Sequence, residues 1–165
     1  MRHDSKDRRT YASNAGEKLF GPGKEPMCAT IAAKIEPMPR QKRLFLLVED
    51  FEDSRFMMRQ LLEMAGYNVV EATDGEQAVE LAVTEQPELI LMDLSLPKLD
   101  GLAATRRIRQ QQGMSEVPIV AISAHDSPGL RTEALAAGCD EYVTKPIDFD
   151  QLSSLLNRLL PGRPN

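Results

Sequence analysis

Leu44-Phe45-Leu46-Leu47-Val48-Glu49-Asp50 runs five apolar residues straight into two carboxylates. A strand with one wet face alternates apolar with polar, whereas an unbroken apolar run fits a strand covered on both faces, as in a parallel sheet flanked by helices. The same texture returns in Glu88-Leu89-Ile90-Leu91-Met92 and Pro118-Ile119-Val120-Ala121-Ile122, with weaker strand candidates at residues 67–71 and at Glu141-Tyr142-Val143.

Amphipathic stretches of about 10–15 residues separate these runs, the pattern of repeated β-α units. Met58, Leu61, Leu62 and Ala65 recur at helical spacing and give one apolar face, and Gly66 follows where a left-handed cap ends a helix. Asp74-Gly75-Glu76-Gln77 and Asp148-Phe149-Asp150-Gln151 read as capping boxes, and Ser127-Pro128 as an N-cap followed by proline in the first turn. Leu152, Leu155, Leu156, Leu159 and Leu160 form the last stripe before Pro161-Gly162 stops it. The fold expected is α/β, a (βα)5 chain doubly wound about a five-stranded parallel sheet of order 2-1-3-4-5. Right-handed crossovers then place functional groups at the carboxyl ends of the strands.

Those ends carry Glu49-Asp50 after strand one, Asp93 after strand three, Ser123-Ala124 after strand four and Lys145-Pro146 after strand five. Strands one and three are neighbours in that order, so Glu49, Asp50 and Asp93 share one crevice. Two carboxylates about 4 Å apart at an effective dielectric near 20 repel by roughly 4 kcal/mol. Such a cluster calls for a cation, and an all-oxygen donor set points to Mg²⁺ rather than zinc. Each residue alone has an ordinary explanation as a first-turn acid, a turn residue, a cap or a surface charge. Their joint placement at successive strand ends of one sheet does not.

Val48-Glu49-Asp50, Leu91-Met92-Asp93-Leu94-Ser95-Leu96-Pro97 with Asp100-Gly101 after it, Ile122-Ser123-Ala124 and Tyr142-Val143-Thr144-Lys145-Pro146 together resemble the receiver domain of two-component response regulators, over about residues 43–160. The resemblance implies a flavodoxin-like fold with Asp93 as phospho-acceptor. It implies metal ligation by Asp93, Asp50 and the Ser95 backbone carbonyl, with Glu49 reaching the metal mainly through water. Ser123 would bind a phosphoryl oxygen, Lys145 would pair with it, and the Lys145-Pro146 bond would be cis. Ser123 and Tyr142 would form a coupled switch in which the ring moves from an outward to an inward rotamer. The donor would be a sensor histidine kinase or a histidine phosphotransfer protein. The output would be a protein contact or onward phosphotransfer, from a monomer or a phosphorylation-dependent dimer, and the domain would not be an enzyme. The residue after Ala124 is His125, which is either a surface imidazole or a neighbour of the phosphoryl group.

Charge is unevenly spread over the 165 residues. Residues 1–43 hold ten basic and five acidic side chains, and the remainder holds ten basic and twenty acidic. An acidic body disfavours nucleic acid. Residues 1–42, with scattered glycine and proline and no sustained period, read as a basic tail without regular structure; residues 27–35 read as linker, with a transient helix as the weaker alternative. Met38 and Met27 are candidate natural starts, and residues 161–165 form a short C-terminal tail. Cys28 and Cys139 lie too far apart for a zinc motif, no apolar run is long enough for a membrane span, and the first residues lack a signal peptide's apolar stretch. A soluble cytoplasmic protein without an appended DNA-binding segment is the expectation.

Three rival readings differ in chemistry. A phosphatase of the haloacid dehalogenase type needs a second aspartate two residues after the nucleophile, where this chain has Ser95. A nucleotide-binding α/β domain needs a glycine-rich phosphate loop, and none follows any strand. A receiver-like scaffold that works without phosphorylation typically loses the acceptor, the acidic pair or the lysine, all of which are present here.

Overall fold

The computed structural model describes residues 42–160. The element order is β1 (Leu44–Val48), α1 (Glu52–Met64), β2 (Asn68–Ala72), α2 (Gly75–Glu85), β3 (Leu89–Asp93), α3 (Gly101–Arg109), β4 (Ile119–Ser123), α4 (Pro128–Ala137), β5 (Glu141–Thr144) and α5 (Phe149–Leu159). All five strands pair in parallel in the order β2-β1-β3-β4-β5. The doubly wound sheet is therefore as the apolar runs require. The tail, the helix at residues 27–35, the two candidate starts and residues 161–165 lie outside the described residues.

Alternation along the strands divides the core between two faces. Leu46, Val48, Ile90, Met92, Ala121 and Tyr142 point to one side, where Ala78, Ala82, Ala104 and Ala134 let α2, α3 and α4 approach closely. Phe45, Leu47, Leu91, Val120 and Ile122 point to the other, packed by Leu62 of α1 and by Leu152 and Leu156 of α5. The three central strands are buried on both faces, which is why they carry no alternation. Shortening a fully buried side chain such as Leu91 to alanine costs about 2–5 kcal/mol.

The strand limits differ from the sequence expectation in one consistent way. β2, β3 and β4 each begin and end one residue later than expected, and β5 runs to Thr144. Asp93 and Ser123 are consequently the last residues of their strands rather than the first residues of loops. Neighbouring strands cause this, because Leu94 N donates to Ile122 O at 3.0 Å and Lys145 N to Ser123 O at 2.7 Å, which carries the ladders past the apolar runs.

Helix ends follow their caps, with three differences. The Asp74 side chain accepts from Gln77 N, but Gln77 Oε1 reaches back to Thr73 N at 2.8 Å, one residue beyond the usual capping-box partner. Ser127 sits at the N-cap with Pro128 after it and makes no side-chain cap bond. Ala65, expected on the buried face of α1, is the exposed C-cap, because the helix ends at Met64 and the chain turns at Gly66 with φ 88°.

Candidate functional site

Two neighbouring strand ends, those of β1 and β3, bring Glu49, Asp50 and Asp93 together, with a carboxylate oxygen from each lying within 4.8 Å of the others. Glu49 and Asp93 are buried and Asp50 is exposed, so the cluster has a closed floor and an open mouth. Lys145, carried in from β5, places Nζ 2.5 Å from Asp93 Oδ2 and 2.6 Å from Glu49 Oε2. The peptide bond between Lys145 and Pro146 is cis.

Burial pushes the Glu49 carboxyl above its ordinary value, an effect that the bond and charge of Lys145 only partly offset and the nearby Asp93 charge reinforces. Burial likewise disfavours the Lys145 ammonium, but its bonds to Asp93 and Glu49 outweigh that cost and hold its pKa above the usual lysine value. A cation in contact with both buried carboxylates therefore offsets part of the cost of burying negative charge there. The donor set is all oxygen and two-thirds of it is already met by an ammonium, so the pocket suits a hard divalent cation.

Backbone groups complete the pocket around Asp93. Ser95 N donates to Asp93 Oδ1 at 2.7 Å, leaving Oδ2 to the lysine. The following loop turns through Lys98 at φ 62° and enters α3 at Gly101, where an added Cβ would stand 2.2 Å from Asp93 O. Only a glycine lets α3 start this close to the strand end.

Ser123 is fully buried at the end of β4, and its Oγ accepts from His125 N at 3.1 Å. The Tyr142 hydroxyl donates to His125 O, so both sides of the His125 backbone are held. Tyr142 is only 6% exposed, with the Arg131 guanidinium 5.9 Å from its ring centroid. It thus already stands inward, and it pairs with Ala121 in the ladder while Ser123 pairs with Thr144. The His125 side chain is exposed beyond this frame.

Three supporting contacts were not expected from sequence. Arg55 donates to the carbonyls of Glu49 and Asp50, Lys98 bonds to Asp74, and the His125 backbone links Ser123 with Tyr142. Each joins a side chain to a group whose position only the fold defines. An arginine one turn into the helix that follows a carboxylate pair was the single local signal available.

Comparison with known proteins agrees with this geometry. A family model described as the response regulator receiver domain matches residues 45–157. The chain is 37% identical over 115 residues to the alkaline phosphatase synthesis transcriptional regulatory protein PhoP of Bacillus subtilis, covering 70% of this chain and 47% of that protein. It is 33% identical over 115 residues to the polar-differentiation response regulator DivK of Brucella abortus, covering 70% of this chain and 94% of that one. The chain thus spans about half the length of several curated relatives that it matches. Among solved structures, the receiver domain of a sensor histidine kinase from Pseudomonas aeruginosa PAO1 has a magnesium ion coordinated in its active-site cleft. It superposes with a TM-score of 0.68 at 39% identity, over 72% of this chain and 97% of that one. The Vibrio cholerae chemotaxis protein CheY4 gives 0.69 at 28% identity, over 72% of this chain and 99% of that one. Among the described residues, no helix is long and apolar enough to cross a membrane.

Proposed function

The chain belongs to the response regulator receiver domain family, and from that premise we propose that Asp93 is the phospho-acceptor of a Mg²⁺-dependent phosphorelay. Receiver domains partner with histidine kinases and serve as signalling phospho-acceptors rather than enzymes. The observation that carries the assignment to Asp93 is the contact of Lys145 with Asp93 Oδ2 inside a carboxylate cluster open on the Asp50 side.

Glu49, Asp50, Asp93 and the Ser95 backbone carbonyl are the groups that would hold the cation. When bound, it would offset their excess negative charge and that of the phosphoryl oxygens. An Asp93 carboxylate oxygen forms the new bond to phosphorus as the bond from phosphorus to the donor's histidine nitrogen breaks, and the electron pair leaves with the imidazole. Lys145 follows the negative charge as it moves onto the phosphoryl group, and the buried Ser123 hydroxyl donates to one of its oxygens. Movement of Ser123 Oγ toward the phosphoryl group would draw it away from His125 N, loosening the residue whose carbonyl Tyr142 holds. Phosphorylation is in this way transmitted to the face formed by α4, β5 and α5.

We assign the output to protein contact or onward phosphotransfer in the cytoplasm, supported by the match to DivK over nearly its whole length. A regulator with a further DNA-binding part is the alternative, supported by the half-length matches to transcriptional regulators. Phosphotransfer profiling against the kinases and phosphotransfer proteins of the native cell identifies the donor.

Acetyl phosphate with Mg²⁺ tests the acceptor directly by intact mass. One phosphoryl group should appear, stable in acid and labile in base, and chelation should prevent it. Asp93→Asn should fold and stay unmodified. Undiminished labelling of that variant places the acceptor elsewhere.

A further inference from the structure

We infer that Arg55 is a positioning residue for the acidic pair, setting divalent-cation affinity through the backbone of Glu49 and Asp50 and not through its charge. The inference rests on the reading of Glu49, Asp50 and Asp93 as a cation site.

One guanidinium nitrogen of Arg55 donates to two successive carbonyls, Glu49 O at 3.0 Å and Asp50 O at 3.2 Å. Asp50 Cα joins these two peptide units, so neither unit can rotate without breaking a bond. The Asp50 carboxylate is exposed, and an exposed side chain takes its direction from the backbone that carries it. The other side of the pair is fixed by the sheet, since Glu49 N donates to Ala72 O at 3.0 Å. Phe51 N then turns back toward Glu49 Oε1 at 3.3 Å, which ties the buried carboxylate to the same loop. Arg55 therefore closes the one part of the acidic loop that the β1–β2 ladder does not reach.

Arg55 is itself held. Its Nε lies 3.3 Å from Glu71 Oε1 on β2, and its side chain is only 17% exposed. Arg59 Nε stands 3.5 Å from the other Glu71 oxygen, a second positive charge beside the same carboxylate. A chain of contacts thus runs from the edge strand, through a planar fork, to the carbonyls behind the two carboxylates. Lysine has the charge but not the fork, and cannot span carbonyls and carboxylate together. Groups that orient metal-binding side chains from behind typically matter by about 10–100-fold in affinity.

Charge and geometry make opposite predictions, which is what makes the inference testable. A positive charge close to a cation site opposes cation binding, so an electrostatic bystander should give tighter Mg²⁺ binding when removed. A positioning residue should give weaker binding when replaced, whether or not the charge is kept.

The experiment is calorimetric titration of MgCl₂ into the full chain, with urea unfolding as a check that each variant is folded. Arg55→Lys and Arg55→Gln should each weaken Mg²⁺ binding by about tenfold or more, and Glu71→Gln should weaken it less but in the same direction. At saturating Mg²⁺, the rate of phosphorylation by acetyl phosphate should return to within about twofold of the wild type, because ground-state cation binding is what was lost. Tighter binding in Arg55→Gln with unchanged binding in Arg55→Lys overturns the inference, as does unchanged affinity in both. Wild-type binding that is lost in Asp50→Asn but intact in both Arg55 variants overturns this inference alone. A wild-type protein that takes up no Mg²⁺ overturns the cation site with it.

Discussion

Lys98 Nζ lies 2.6 Å from Asp74 Oδ2, tying the loop that follows Asp93 to the residue that caps α2. Asp74 is buried and Lys98 is exposed, so the carboxylate end of the pair is the ordered one. The same carboxylate accepts from Gln77 N at 2.9 Å. One side chain therefore starts a helix and anchors a loop of the candidate site.

The backbone N–H of Gln77, and after it the Lys98 ammonium, hold the Asp74 carboxyl below its ordinary value of 3.8. A depressed folded pKa contributes stability that is fully present above the unfolded value and is lost as pH falls through the folded one. Asp74→Asn keeps a capping oxygen but not the charge, so it should be less stable than the wild type at neutral pH. The two should converge as pH falls below 3.8. Asp74→Ala loses the cap as well, at a cost of about 1 kcal/mol. Urea unfolding across the acid range checks both, and a gap between wild type and Asp74→Asn that does not change with pH would remove the charge from the account.

Lys145 offers a sharper test of how the carboxylates are kept ionised. Its ammonium occupies oxygens of Glu49 and Asp93 that an entering cation would share. Lys145→Ala should therefore bind Mg²⁺ more tightly, on the order of tenfold or about 1.4 kcal/mol, while accepting phosphate from acetyl phosphate more slowly at saturating Mg²⁺. Calorimetry and initial rates of mass gain separate the two effects. If affinity and rate both stay at wild-type values, Lys145 is a bystander.

Gly101→Ala probes the close approach of α3 to the strand end. The added methyl would sit 2.2 Å from Asp93 O and 2.8 Å from Leu94 Cα, both backbone atoms that can yield only by moving Asp93 itself. The cost should be about 1–3 kcal/mol in unfolding free energy, together with slower phosphorylation. Wild-type stability and rate in this variant would show that the strand end has slack.

What could be read from the sequence divides along physical lines. β1, β3 and β4 announced themselves because burial on both faces leaves nothing but apolar residues, and the carboxylates and Ser123 lie within a residue or two of those strands, while Lys145 directly follows the weaker β5. α3 gave no separate signal. Its buried positions are Gly101, Ala104, Thr105 and Ile108, of which only Ile108 is large and apolar, so they make no apolar stripe, and its cap Asp100 was read as part of the Asp93 motif. The one-residue shift that places Asp93 and Ser123 inside their strands comes from hydrogen bonds to neighbouring segments of the sheet, which no local pattern encodes. Lys98 with Asp74, and Arg55 with the Glu49 carbonyl, were invisible for the same reason. Their partners are brought close only after the sheet forms.

Arg109 makes a further set of contacts that sequence reading missed, and it lies at the end of the sheet opposite the carboxylates. From the last turn of α3 its Nε donates to Gly138 O at 2.8 Å, while Nη1 donates to Met114 O and Val117 O, each at 2.7 Å. Its Nη2 pairs with Asp140 Oδ2 at 2.8 Å, and that same oxygen accepts from Ile119 N. The connection from α3 to β4 and the connection from α4 to β5 are thus held by one planar fork, which suits arginine and not lysine. Gly138 at φ 110° leaves room for it, since an added Cβ would stand 2.8 Å from Arg109 Cγ. Arg109→Ala strips a donor from three carbonyls and a carboxylate, but water can reach part of this edge and recover some of the loss. The net cost should be about 2–4 kcal/mol, and Arg109→Lys should recover less than half of it. Asp140→Asn keeps an acceptor for Ile119 N and should cost less. Because none of these groups touches the carboxylate cluster, phosphorylation of Arg109→Ala at a temperature where it is folded should proceed at the wild-type rate. Urea unfolding and mass-gain kinetics on the same preparation decide the matter. A stability change within about 0.5 kcal/mol would show that the fork is ornamental, and a slowed phosphorylation would show that the two ends of the sheet are coupled.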